Sequence, residues 1–271
     1  MVAASICWSF GGLCIKFIPW GAMTIIGLRA FFAAIVFAVY RRSVKVSLSP
    51  GNVLAASCLA ATTVLFVFSN KLTTAAAAIL LQFTAPVFII LIELLLYKKM
   101  PKRSEVIAVS ATILGMLLFF AGRLEAGGML GNLLAIASGF SFAGVFICYK
   151  RPDVDTEQAI FLGFLINTVI GMPFALFGAA ANLTAWAAAI FLGTVQVGVA
   201  YILFSIGIQK TAALLACLIT AMEPVLNPFW VALATGEVPS PFAAAGGAVI
   251  ITTVVAYNLW TEKHAEIYKS Q

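Results

Sequence analysis

An acid, an amide and two prolines fall together in one of the chain's apolar reaches: AALLACLITAMEPVLNPFWVALATGE, from Ala212 to Glu237. Glu223 stands about eleven residues into this stretch, which at 1.5 Å per residue sets it near the middle of a bilayer. An acid at that depth costs about 2.5–3.5 kcal/mol on insertion scales, so it implies a function or a partner. Desolvation would raise its affinity for a proton or a cation. Pro224 and Pro228 each remove a backbone donor, and broken backbone is tolerated in a membrane only against protein or a water-filled cavity. Cys217, Thr220, Glu223, Asn227 and Trp230 recur at three- and four-residue steps, so they share one helix face. Two readings follow. Either the face lines a cavity, or the prolines kink a packed helix and Glu223 is bonded to a neighbour.

Other polar residues compete for the same interior. Gln82 lies at membrane depth in Ala75–Tyr97 and should face a cavity, with Pro86, Ile89 and Glu93 on its side of the helix. Glu93 is close enough to Lys98 to reach the interface, which favours a structural role. Arg29 sits halfway along Gly21–Tyr40 and must be paired or bonded to carbonyls, as a clamp between spans or as a substrate or coupling group. Lys16, near Pro19, can snorkel outwards. Ser5, Ser9, Gly12 and Lys16 form a stripe beside Trp8; Thr194, Tyr201 and Ser205 form another, and Ser138 and Ser141 a third. Such stripes serve helix packing as readily as ligand binding. With Trp8, Phe10, Phe66 and Trp230 they could also wall an aromatic cavity with few polar contacts.

The composition fixes what must position these groups. Apolar residues make up 63% of the 271 and charged ones only 10%, with a mean hydropathy of +1.08. This is a polytopic membrane protein, all-helical, with the lipid bilayer as its surroundings. The formal charge of +6 is not a nucleic-acid footprint, because the basic residues sit at the ends of apolar runs. The five cysteines lack motif spacing and read as small core residues.

Ten spans are expected: Met1–Ile18, Gly21–Tyr40, Asn52–Ser69, Ala75–Tyr97, Ser104–Gly122, Gly128–Tyr149, Gln158–Ala179, Leu183–Ile208, Ala212–Glu237 and Pro241–Trp260. The fifth and tenth are nearly featureless and belong on the periphery. The first has no basic n-region ahead of it and barely reaches spanning length, so further residues are expected before it. With the first residues inside, inner loops and tail hold twelve of the sixteen Lys and Arg. That bias puts both termini in the cytoplasm.

A shift of 138 residues places Pro86 on Pro224 and Pro101 on Pro239. Thr73/Thr211, Ala75/Ala213, Val87/Val225 and Leu95/Leu233 coincide as well. Five spans per half is an odd number, so the halves would enter from opposite sides. Inverted repeats of this kind are the architecture of secondary transporters, with substrate held near the midplane.

The motifs resemble those of the ten-span, two-domain EamA members of the drug/metabolite transporter superfamily. Trp8-Ser9-Phe10-Gly11 with Lys16 resembles that family's W-G…K opening, and Leu28-Arg29-Ala30 with Ala33-Ala34 its R-F-x-x-A pattern. Glu223-Pro224, then Gly236-Glu237 before Pro239, resembles its E-P…G-E close. The first half departs from the pattern, with Ala85-Pro86 and Lys98-Lys99 in the corresponding places. The resemblance implies two EamA-like five-helix repeats, residues 1–122 and 128–262, ahead of a cytoplasmic tail, 263–271. It implies transport but names no substrate.

Enzyme chemistry finds no footing. Gly139-Phe140-Ser141-Phe142-Ala143 falls one residue short of G-x-S-x-G, and the only histidine, His264, lies in the tail away from any base role. A channel would use rings of repeated groups, whereas one asymmetric acid suits alternating access better. The expectation is therefore a monomeric carrier of the cytoplasmic membrane, without cofactor or metal. Its substrate is a small organic solute, an amino acid or related metabolite with export favoured, and protons are a candidate second partner. Uptake of an organic cation or nucleoside-type metabolite is the alternative. Candidate substrate contacts are Trp8, Gln82, Tyr201, Thr220, Glu223, Asn227 and Trp230. Candidate coupling or structural charges are Glu223, Arg29, Lys16 and Glu93.

Overall fold

A computed structural model describes the chain except residues 12–13, 15–17, 122–127, 180–181, 236–239 and 270–271; it also leaves undescribed the side chains of 75, 227–229, 231–232, 234–235 and 264–269. The regular structure among the described residues is all helical, with no strand. In chain order the helices are α1 (Val2–Ser9), α2 (Ala22–Arg41), α3 (Pro50–Leu72), α4 (Ala75–Gln82), α5 (Ala85–Tyr97), α6 (Arg103–Phe119) and α7 (Met129–Cys148). There follow α8 (Thr156–Gly178), α9 (Leu183–Phe191), a π-helical stretch (Leu192–Val199), α10 (Ala200–Lys210), α11 (Ala213–Thr220), α12 (Met222–Thr235) and α13 (Pro241–Lys269).

Among the described residues, seven helical segments are long and apolar enough to cross a membrane. α4 and α5 count as one of these, and α9 runs through the π-helical stretch into α10 as another. α6 has only 17 residues. α13 continues past the expected end at Trp260, so the residues read as a tail extend the helix to Lys269.

Local chemistry explains where helices start. The Ser49 hydroxyl accepts from Asn52 N ahead of Pro50 at the first turn, Thr74 caps α4 through Ala77 N, and Asp155 caps α8 through Gln158 N. Each satisfies a backbone donor that the first helical turn leaves free. At the other end, Arg42 and Lys98 adopt left-handed backbone (φ 51° and 52°) to terminate α2 and α5.

Both proline-bearing spans break where the prolines demand it. α4 gives way to α5 across Phe83 and Thr84, and α11 to α12 at Ala221. Pro86 and Pro224 lack the N–H that would bond the carbonyl four residues back, at Gln82 and Thr220. α4 and α11 are offset by the same 138 residues that align the two prolines. The freed Gln82 carbonyl lies against Gly139 of α7, where a Cβ would come within 2.7 Å of it.

The helices pack closely through small residues, as lipid-bathed helices must when no hydrophobic drive separates core from solvent. α2 crosses α8 at Gly27 and Gly171, where a Cβ on Gly27 would fall 2.4 Å from the Gly171 carbonyl carbon. α3 lies along α7, and α6 along α13. Because α7 also lies against α4 and α5, the second half of the chain is built into the first.

A cluster of buried aromatics sits toward the ends of the helices that carry the basic residues. Phe37, Phe146 and Phe204 are fully buried and Tyr149 is 1% exposed. Phe204 gathers two of them, with ring centroids 5.8 Å from Phe146 and 6.0 Å from Tyr149, while Phe37 packs on Phe164 at 5.7 Å. Below them, the Lys150 ammonium donates to the Ile208 and Gln209 carbonyls at 2.8 and 3.1 Å, capping the end of α10. Gln209 in turn donates to Thr156 at 2.6 Å. This basic end is closed by packed aromatics and tied by polar bonds.

Candidate functional site

Above that closed end lies a cavity of about 140 Å³. Its charged groups are Arg29 from α2 and Glu223 from the first turn of α12, and its hydroxyl residues are Thr62 and Thr63 from α3 and Tyr201 from α10. Arg29, Tyr201 and Glu223 are in electrostatic contact with one another. Neither Arg29 nor Glu223 belongs to an ion pair or hydrogen bond among the described residues, where the two ion pairs are Lys99–Glu93 and Arg151–Asp153. Trp8, Phe66, Phe83, Phe142 and Phe164 supply an apolar wall. Trp8 is fixed edge-on to Tyr201 at 5.1 Å, and Phe164 at 5.3 Å.

Three amides complete the lining. Gln82, at the end of α4, donates to Ser138 Oγ at 2.9 Å, and Ser138 donates to the Thr62 carbonyl at 2.9 Å. That relay fixes the break in α4 against α3 and α7. Asn167 of α8 and Gln196 of the π-helical stretch are 3% and 6% exposed. Gln196 Nε2 donates to the Trp8 carbonyl at 3.0 Å. A π-turn carries one residue more than an α-turn and re-aims the side chains after it, which is why such turns concentrate at functional sites.

Of the residues singled out from sequence, Trp8, Arg29, Gln82, Tyr201 and Glu223 line the cavity together. Thr220 does not. It is fully buried and its hydroxyl turns back to the Cys217 carbonyl at 2.6 Å. The shared face assumed one continuous helix, and the break at Ala221 ends that register. Trp230 is also outside the lining: its Nε1 donates to Ser9 Oγ at 2.7 Å and its ring stacks on Phe10 at 4.7 Å. Glu93, thought to share a face with Gln82, is separated from it by the break between α4 and α5 and pairs with Lys99. It lies with Lys150 and Arg151 around a second pocket of about 360 Å³ at the basic end. Lys16 and the Asn227 side chain lie outside the described residues.

Gln196 and Asn167 were missed. Each is a midspan amide, the same signal that drew attention to Gln82. Among the described residues no group of three His, Cys, Asp or Glu side chains could hold a metal ion.

Comparison with known proteins places the chain in a family. The chain is 26% identical over 193 residues to a protein of Archaeoglobus fulgidus named an uncharacterized transporter, covering 70% of this chain and 69% of that one. Its fold matches a solved crystal structure with a TM-score of 0.81 at 20% identity, over 96% of both chains. The profile of the EamA-like transporter family matches twice, over residues 1–121 and 129–259. The chain is a multi-pass membrane protein of the EamA-like transporter family, in the drug/metabolite transporter superfamily.

Proposed function

We propose that the chain is a ten-span secondary carrier of the cytoplasmic membrane, acting as a monomer. In this reading residues 1–122 and 128–262 are inverted five-helix repeats, both termini are cytoplasmic, and the basic end faces the cytoplasm. The observation that carries it is the cavity itself: opposite charges on facing helices, at membrane depth, without a bond between them. Buried charges of that kind are retained where a ligand completes them.

A solute bearing both a carboxylate and an ammonium would bridge Arg29 and Glu223, and its side chain would lie against Trp8, Phe66 and Phe142. An engineered cavity of about 150 Å³ takes up benzene, so about 140 Å³ suits a small amino acid or related metabolite. The aromatic seal at Phe146, Tyr149 and Phe204 closes the cytoplasmic side. Rocking of one repeat against the other would open that side and close the outer one, with export as the working direction. Glu223 is the candidate proton-coupling acid. The aromatic wall also suits an organic cation through cation–π attraction, which makes cation uptake the second reading.

Purified protein in proteoliposomes tests this against amino acids, nucleosides and amines, in both directions, with and without a pH gradient. Accumulation of an amino acid supports the reading. Movement of inorganic ions without saturation by any organic solute would replace it with a channel.

A further inference from the structure

We propose that Gln196 and Asn167 read the N–H donors of the transported solute, so that the carrier takes a primary ammonium and rejects a quaternary one. This deepens the carrier reading above and rests on it. The starting observation is that Gln196 Oε1 and Asn167 Oδ1 are both buried and meet no donor among the described residues. Buried amide oxygens are rarely left in that state, because each unmet acceptor is destabilising. Both residues are more than nine-tenths buried and both line the cavity.

The orientation of Gln196 is fixed by its own bond. Its Nε2 is engaged by the Trp8 carbonyl, which leaves the oxygen as the free end. Gly11 helps hold it there, since a Cβ at that position would come within 2.9 Å of the same nitrogen. The amide is therefore an acceptor with little freedom to become a donor. Together with the Glu223 carboxylate, the two unmet amide oxygens make three acceptors from three elements: α8, the π-helical stretch and α12. Arg29 is the cationic donor opposite.

A primary ammonium has three N–H donors and matches that set one for one. A quaternary ammonium has none. It would satisfy the charge of Glu223 and the aromatic wall but leave both amide oxygens unmet. A site built to hydrogen-bond a group rejects an analogue lacking it more strongly than a purely apolar site can. Charge and aromatics alone would admit either cation, so the amides supply the discrimination.

The test compares leucine with the N,N,N-trimethyl derivative of alanine, which have equal numbers of non-hydrogen atoms and both carry a carboxylate. Dissociation constants are measured by calorimetry on detergent-purified protein, beside proteoliposome transport. Wild type should bind leucine at least about tenfold more tightly. Gln196→Met and Asn167→Leu should each weaken leucine about tenfold while leaving the trimethyl compound within about twofold. Asn167 makes no hydrogen bond among the described residues, so its variant still decides the matter if Gln196→Met fails to fold. Equal affinity of wild type for the two ligands would overturn the inference, as would equal weakening of both by Asn167→Leu. Transport of neutral or quaternary solutes but not leucine would sink this inference and leave the carrier standing. Transport of no organic solute at all would sink both.

Discussion

Arg29 and Glu223 face one cavity from α2 and α12, in electrostatic contact but not joined in an ion pair. Had they met directly, the pair would be neutralised and the cavity closed to charged ligands. Held apart, each charge remains available to a solute that spans the gap. The break at Ala221 places Glu223 in the first turn of α12, close to the backbone donors that a helix start leaves free.

Glu223→Gln separates function from structure. It keeps the size and polarity of the side chain, so expression and thermal stability should stay near wild type while solute accumulation falls by about tenfold or more. Proteoliposome uptake by the purified variant measures this. Normal, pH-dependent transport by well-folded Glu223→Gln would remove the acid from the mechanism and leave the site to Gln82, Gln196 and Asn167.

The α2–α8 crossing admits no side chain. Gly171→Val should destabilise the detergent-solubilised protein by about 1–3 kcal/mol or prevent its accumulation. On Gly171 a Cβ would lie 2.4 Å from Gly27 N. Unchanged thermal stability of this variant would mean that the two helices do not cross at these glycines.

At the basic end, Lys150→Met removes the donor to the Ile208 and Gln209 carbonyls while keeping a long apolar side chain. The loss should amount to about 1–3 kcal/mol. It should also raise the labelling rate of a cysteine placed at Ile208, which is fully buried in the closed end. An unaltered labelling rate would show that Lys150 does not tie that end shut.

Cys58 of α3 and Cys148 at the end of α7 are free thiols in neighbouring positions where the two helices pack. A short thiol-specific cross-linker should join them in the wild type, and neither Cys58→Ser nor Cys148→Ser should react that way. Mass spectrometry of the cross-linked peptides decides it. Absence of the product, with both thiols shown to be reactive singly, would contradict the packing of α3 along α7.

Orientation is tested independently. A reporter fused after Gln271 and a cysteine introduced beside Arg103 should both report the cytoplasm, because the basic residues collect on that side. An extracytoplasmic result at either position would change the span count or reverse the chain.

The sequence by itself determined the class of the protein and its family, and it named five of the residues that line the cavity. An acid and an arginine at midspan are too costly to be incidental, and prolines at matching positions dictate where two helices break. Arg29 and Glu223 were legible for that reason, Gln82 as an amide at membrane depth, and Trp8 and Tyr201 only through the polar stripes on or beside which they fall. Only the tertiary structure decided which way the remaining polar groups turn. A helix in lipid is apolar on every side, so its sequence carries little periodicity to say which face meets a neighbour and which meets lipid. Thr220 and Trp230 share a spacing with Glu223, but the break at Ala221 and the bond to Ser9 take them out of the cavity. Gln196 enters the lining from a π-helical turn whose extra residue shifts every position after it, and no i, i+3 or i, i+4 count could have placed it there.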